Sequence, residues 1–266
     1  MLAVMAPSLT ALLQDLATIQ GDLRALLGEL PEGAWELPTP SPGWTVRHQV
    51  RHLAHGEELG RLAASDPDGF AAELGRLIND LDAVERATVD PVREPTEELR
   101  ARWWDAAEGL RAAVADGPQD TPIDWVTGPM SRASFLTARV METFAHGTDI
   151  AAATGGTLPV GGSLRHIAHL GVATRAFAFT NRGQPVPDVP VRVELTGPDG
   201  ETWTWGPEGA PERVEGPAVD FCLLVTQRVH RDDTALVARG EGASAWLAIA
   251  QCFAGPPSDG PPPSGS

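Results

Sequence analysis

Apolar residues recur at steps of three and four between Ser8 and Leu30: Leu9, Leu12, Leu13, Leu16, Ile19, Leu23, Leu26 and Leu27. That spacing is the buried stripe of an amphipathic helix. Ser8 stands where an N-cap belongs, and Pro31 ends the run. A proline-rich connection (36–43) leads to a second helix, capped by Thr45, with Val46, Val50, Leu53 and Ala54 as its stripe and an end near Ala64. Asp66-Pro67 opens a further helical stretch carrying Phe70, Leu74, Leu77 and Ile78, which would cover one side of the assembly. A third main helix starts at Thr96, where Thr96-Glu97-Glu98-Leu99 loosely suggests a cap. It turns Leu99, Trp103, Ala106, Leu110 and Ala113 inward, and a loop from Gln119 to Pro129 follows. The fourth begins at Ser131, runs through Phe135, Leu136, Val140, Phe144 and Ile150, and stops at Gly155-Gly156. Four long helices joined by loops predict an antiparallel four-helix bundle.

The pattern then changes. Leu164 to Asn181 reads as one more helix. After Pro185 the alternation of Val189, Val191, Val193 and Leu195 with Arg192 and Glu194 has the period of a strand, and Gly197-Pro198-Asp199-Gly200 turns it into Thr202-Trp203-Thr204-Trp205 as a hairpin. A short segment at Arg213 to Gly216, a helix from Pro217 to about Val229, a strand around 235–238 and a helix near 243–253 complete an α+β unit. The fold class is therefore α+β: a helical bundle over 1–156, a small α+β domain with a leading helix over 157–255, and a Pro/Gly/Ser-rich tail over 256–266 expected to be disordered.

Charge narrows the partners. The chain of 266 residues is 42% hydrophobic, with a formal net charge of −16 and a pI near 4.7. Nucleic acid and anionic membrane both reward a basic face, so neither is expected, although a local arginine can still hold a small anion. The two cysteines, Cys222 and Cys252, sit in apolar surroundings and read as buried reduced thiols. Met1 to Pro7 lacks a basic leader, and no apolar run nears the roughly 20 residues of a membrane span. These features suggest a soluble cytoplasmic protein.

The chemistry concentrates in two segments. Glu142 and His146 stand four apart on a helix, so their side chains leave one face. His48, His52 and His55 share a face of another. Two imidazoles and a carboxylate suit zinc with an open position for water or substrate, while nickel, iron, cobalt and manganese accept such ligands too. The same spacing also arises by chance on solvent faces. His166 and His169, three apart with no carboxylate nearby in sequence, read as a packed or exposed helix, and Trp103-Trp104 and Trp203-x-Trp205 as packing residues.

The run from Gly43 to Ala54, followed by Arg139 to Asp149, resembles the DinB-like metal-binding superfamily, and more closely its actinobacterial branch around the mycothiol-dependent maleylpyruvate isomerases. The resemblance implies His52, Glu142 and His146 as metal ligands, a sterol-carrier-like C-terminal domain, and mycothiol as a co-substrate. It leaves His48 and His55 as pocket-lining groups, a fourth ligand or surface histidines. Gly216 to Arg228 is similar to an apolar helix of that branch whose final arginine faces the cavity. Arg228 is thus either an anion anchor or an arginine satisfying the last carbonyls of its helix. The resemblance implies a metal-dependent enzyme that activates a thiol for isomerisation or S-transfer on a small electrophilic metabolite, possible as a homodimer. A thiol-independent metal enzyme and a non-catalytic small-molecule carrier are the alternatives. A tRNA-modifying role of the wybutosine type fits poorly with so acidic a chain.

Overall fold

The computed structural model describes residues 8–80, 94–117, 120–159 and 161–265. The first residues, read above for a leader, the loop start at Gln119 and the final Ser266 lie outside that range. The chain divides into two compact units, Met1–Pro159 and Val160–Ser266.

The first unit is built on four long helices. In α1 (Leu9–Glu29) the Ser8 hydroxyl accepts the Ala11 N–H at 3.2 Å, and Leu12, Leu16, Ile19, Leu23 and Leu27 are buried. Then come α2 (Val46–Ser65) and the shorter α3 (Pro67–Ile78), whose N-cap Asp66 accepts the Gly69 N–H at 3.0 Å. They are followed by α4 (Thr96–Asp116) and α5 (Arg132–Thr154). Ser131 caps α5, and Gly155 ends it in the left-handed conformation that glycine adopts without penalty. The suggested cap at Thr96 is not formed. Pro95 is the N-cap residue, and the buried Thr96 hydroxyl donates instead to the Glu32 carboxylate.

Helix α1 packs on α4 and α5, and α2 packs on the same two. Contacts along α2 and α5 run in opposite senses: Gln49 meets Asp149, Gly56 lies by Arg139, and Gly60 lies by Phe135. Helices α1 and α4 are also antiparallel, with Arg24 by Trp104 and Gln20 by Arg111. Gly60 permits a close approach, since a Cβ there would stand 2.5 Å from Leu110 Cδ1 and 3.0 Å from Phe135 Cζ.

The second unit carries a four-stranded sheet of order β2-β1-β3-β4, formed by β1 (Val191–Thr196), β2 (Thr202–Trp205), β3 (Glu212–Pro217) and β4 (Val237–Arg239). The pairs β1–β2 and β3–β4 are antiparallel and β1–β3 is parallel. Val193, Leu195, Trp203 and Val214 are buried, while Arg192, Glu194 and Arg213 form an ion-pair ladder.

The helices of this unit differ from the sequence reading in three places. The expected helix over Leu164 to Asn181 is two, α6 (Leu164–Ala173) and α7 (Arg175–Thr180). Thr174 separates them at φ −91°, ψ 9°, with its hydroxyl donated back to the Leu170 carbonyl at 2.8 Å. Helix α8 (Ala218–Val225) stops four residues before the expected Val229. Gln227 takes φ 57°, its N–H donates to Leu224 O at 2.9 Å, and the Arg228 N–H donates to Leu223 O at 2.8 Å. Those paired bonds are a Schellman cap. The last helix, α9 (Glu241–Ile249), starts earlier than the expected 243 because the Glu212 carboxylate accepts the N–H groups of Gly242 and Ala243 at its first turn. The described residues of the tail have no regular secondary structure, yet Arg182 and Gln227 donate to the Ser258 carbonyl and Arg182 pairs with Asp259, while Asn181 donates to the Gly255 carbonyl just before it. Among the described residues, no helix is long and apolar enough to cross a membrane.

Candidate metal centre

Helix α2 turns His52 toward α5, whose register sends Glu142 and His146 back toward α2. The ligand-type atoms of these three side chains all lie within 4.8 Å of one another. Glu142 Oε2 is 3.2 Å from His146 Nε2 and 3.9 Å from His52 Nε2. Ligands at about 2.0–2.1 Å from a tetrahedral zinc are separated by roughly 3.3 Å, so these spacings suit a small divalent ion with little movement. His146 is buried, whereas His52 and Glu142 keep side-chain exposures of 31% and 24%, which leaves a path for a ligand to reach the cluster. Burial alone would raise the Glu142 carboxyl. Hydrogen bonding to His146 and His52, with the charges of His146 and Arg139, outweighs it and holds the group well below the usual carboxylate range.

The loop before α2 shapes one wall. Gly43 at φ 80° lets the chain fold back, so the Thr39 N–H and hydroxyl both donate to the Trp44 carbonyl, at 2.8 and 2.9 Å. That turn lays Trp44 against both imidazoles, at ring centroid distances of 5.2 Å to His52 and 5.8 Å to His146, the latter nearly parallel.

Around the cluster lie polar residues that sequence reasoning missed. Gln49 is wholly buried, and its amide oxygen meets His146 Nδ1. Its amide nitrogen donates to Asp149 Oδ2 at 3.1 Å and to Thr39 Oγ1 at 2.9 Å, while Asp149 Oδ2 also accepts the Ser41 hydroxyl at 2.8 Å. Deeper in the bundle, Glu57 faces Arg139 and accepts from the Gln20 amide at 3.1 Å. A signal existed: Gln49, Leu53 and Glu57 are spaced by four, so two polar residues lie on the apolar stripe of α2.

The other expected residues fall elsewhere. His48 Nδ1 accepts the Thr45 N–H at 3.0 Å and so completes the start of α2. His55 is half-buried, its Nε2 meets no hydrogen-bond partner among the described residues, and burial lowers its pKa. Arg228 follows α8 in the second unit, where its guanidinium donates to the Thr226 carbonyl at 2.6 Å. His169 Nδ1 accepts from the Trp205 indole at 3.3 Å. Both cysteines are buried as thiols, and burial pushes the Cys222 thiol well up.

Comparison with known proteins places these features in a wider set. Residues 16–151 match the family described as the mycothiol maleylpyruvate isomerase N-terminal domain, and residues 187–239 match one described as wyosine base formation. The second stretch runs from before β1 to the end of β4 and contains none of the three clustered side chains. Uncharacterized proteins of Mycobacterium tuberculosis, strains CDC 1551 / Oshkosh and ATCC 25618 / H37Rv, are 44% identical over 253 residues, covering 92% of this chain and 96% of theirs. Crystal structures of the mycothiol-dependent maleylpyruvate isomerase and of a mutant share the fold, with TM-scores of 0.59 and 0.60 at 17% and 16% identity. Each covers 90% of this chain and 95% of its own.

Proposed function

Because the chain belongs to the family of the mycothiol maleylpyruvate isomerase N-terminal domain, we propose that it is a metal-dependent enzyme activating a low-molecular-weight thiol, mycothiol, for isomerisation or S-transfer on a small electrophilic metabolite. The observation that carries the reading is the convergence of His52, Glu142 and His146 on one point beside an accessible face. A divalent ion there, zinc being the first choice for this donor set, would supply an open coordination position and a lowered pKa for a bound thiol.

The chain's own groups have distinct jobs in this reading. Glu142 contributes a full negative charge, since its carboxyl is held ionised. Three protein ligands leave room for a fourth from outside. Trp44 covers the imidazoles on one side and limits how water and substrate approach them. The proposal extends to Arg228 as an anchor for a substrate or cofactor carboxylate, on resemblance alone.

Calorimetric titration of metal-loaded protein with mycothiol tests the thiol. Binding that disappears in His52→Ala supports the reading, and no binding to the metal-loaded wild type removes the thiol from it. Turnover that proceeds unchanged without added thiol would point instead to a thiol-independent metal enzyme.

A further inference from the structure

Arg139 and Glu142 stand three apart on α5, so they share a face on which opposite charges ordinarily pair. Here they do not. The Glu142 carboxylate turns to His52 and His146, and among the described residues Arg139 makes its ion pair with Glu57 of α2. Two features of α2 hold the guanidinium there. Glu57 Oε2 and Arg139 Nε are both buried without a hydrogen bond, so each is left with the other at 3.5 Å. Gly56 supplies the space, since a Cβ there would stand 3.0 Å from Arg139 Nη2 and 3.5 Å from its Cζ. Glu57 is itself fixed from the other two long helices. Arg111 of α4 donates to Gln20 Oε1, which turns the Gln20 NH2 of α1 toward Glu57 Oε1 at 3.1 Å.

A guanidinium forks onto both oxygens of a carboxylate. An arginine paired with Glu142 would therefore occupy the lone pairs a cation needs, and would set a second positive charge beside that cation. We propose that Glu57, braced by Gln20 and Arg111, holds Arg139 away from Glu142 and so keeps the Glu142 carboxylate free for a divalent cation. Glu57 and Arg139 are positioning residues in this scheme, one drawing the other across to α2. The consequence for the cation rests on the reading of His52, Glu142 and His146 as a metal centre. Where Arg139 goes when Glu57 is changed does not.

The test measures the zinc affinity of the full chain by competition with a chromophoric chelator. Glu57→Gln keeps the size, and an oxygen for the Gln20 amide, but removes the charge that holds Arg139. It is expected to release the guanidinium to Glu142 and to weaken zinc binding by about 10–100-fold. Arg139→Met combined with Glu57→Leu leaves nothing to compete for Glu142, so it is expected to bind zinc as the wild type does. A merely structural role for the pair would give no such recovery. Unchanged zinc affinity in Glu57→Gln would overturn the proposal, as would a double variant no tighter than the single one. Should Glu57→Gln fail to fold, the double variant decides: wild-type affinity supports the proposal and weaker binding contradicts it. A wild type that takes up no zinc would instead sink the metal reading. The crystal structure of metal-free Glu57→Gln then decides where Arg139 is held: its guanidinium is expected at Glu142, and a guanidinium still beside position 57 overturns the proposal.

Discussion

Glu57 of α2 and Arg139 of α5 face each other in the bundle core, Oε2 to Nε at 3.5 Å, with side-chain exposures of 0% and 6%. Burial pushes the Glu57 carboxyl up, and Arg139 and the Gln20 amide pull it back without cancelling the effect. Such a pair gains little net stability, but loss of one partner strands a charge in the core at about 3–5 kcal/mol. Arg139→Met should therefore cost that much in denaturant unfolding, and Arg139→Met combined with Glu57→Leu should recover most of it. An Arg139→Met cost as small as that of breaking the exposed Arg76–Glu73 pair would show that water reaches the site.

Two glycines predict effects of opposite sign. Gly60→Ala gains about 1 kcal/mol of helix propensity but drives a methyl into Leu110 and Phe135, both fully buried, at a steric cost of about 1–3 kcal/mol. The clash should win and lower the unfolding midpoint. Gly21 in α1 has nothing within 4 Å of its Cβ direction, so Gly21→Ala should stabilise by about 0.5–1 kcal/mol. Equal responses would contradict the close packing assigned to α2.

Acid sensitivity should carry a signature of Glu142. Its folded-state pKa lies below the ordinary 4.5, so its contribution to stability is present above that value and is lost as pH falls through the lower folded value. In metal-free protein, Glu142→Gln should therefore lose stability less steeply than the wild type below pH 4.5. Thermal midpoints measured across the acid range would show parallel curves if the carboxylate were not engaged by the two histidines.

The bundle was legible because its signals are local. A leucine stripe, a serine cap and a proline or glycine stop define α1 and α5 within the chain itself. The metal candidates were legible in two steps, since spacing placed the histidines on common helical faces and the family resemblance selected His52. Gln49 escaped notice because a buried glutamine gains meaning only from partners about 100 residues away, and nothing along α2 announces Asp149. Arg228 depended on where α8 stops, which Gln227 decides by entering a backbone region that non-glycine residues rarely adopt. The parallel pairing of β1 with β3 is equally non-local, as it joins strands separated by the β2 hairpin.

The central claim is that His52, Glu142 and His146 hold a divalent ion. Metal analysis of the full chain, loaded with zinc and then dialysed free of excess, tests it most directly. The account predicts about one bound ion per wild-type chain and loss of that ion in His52→Ala, Glu142→Ala and His146→Ala, each checked for retained fold. A wild type that retains no ion, or variants that retain as much as the wild type, would contradict it.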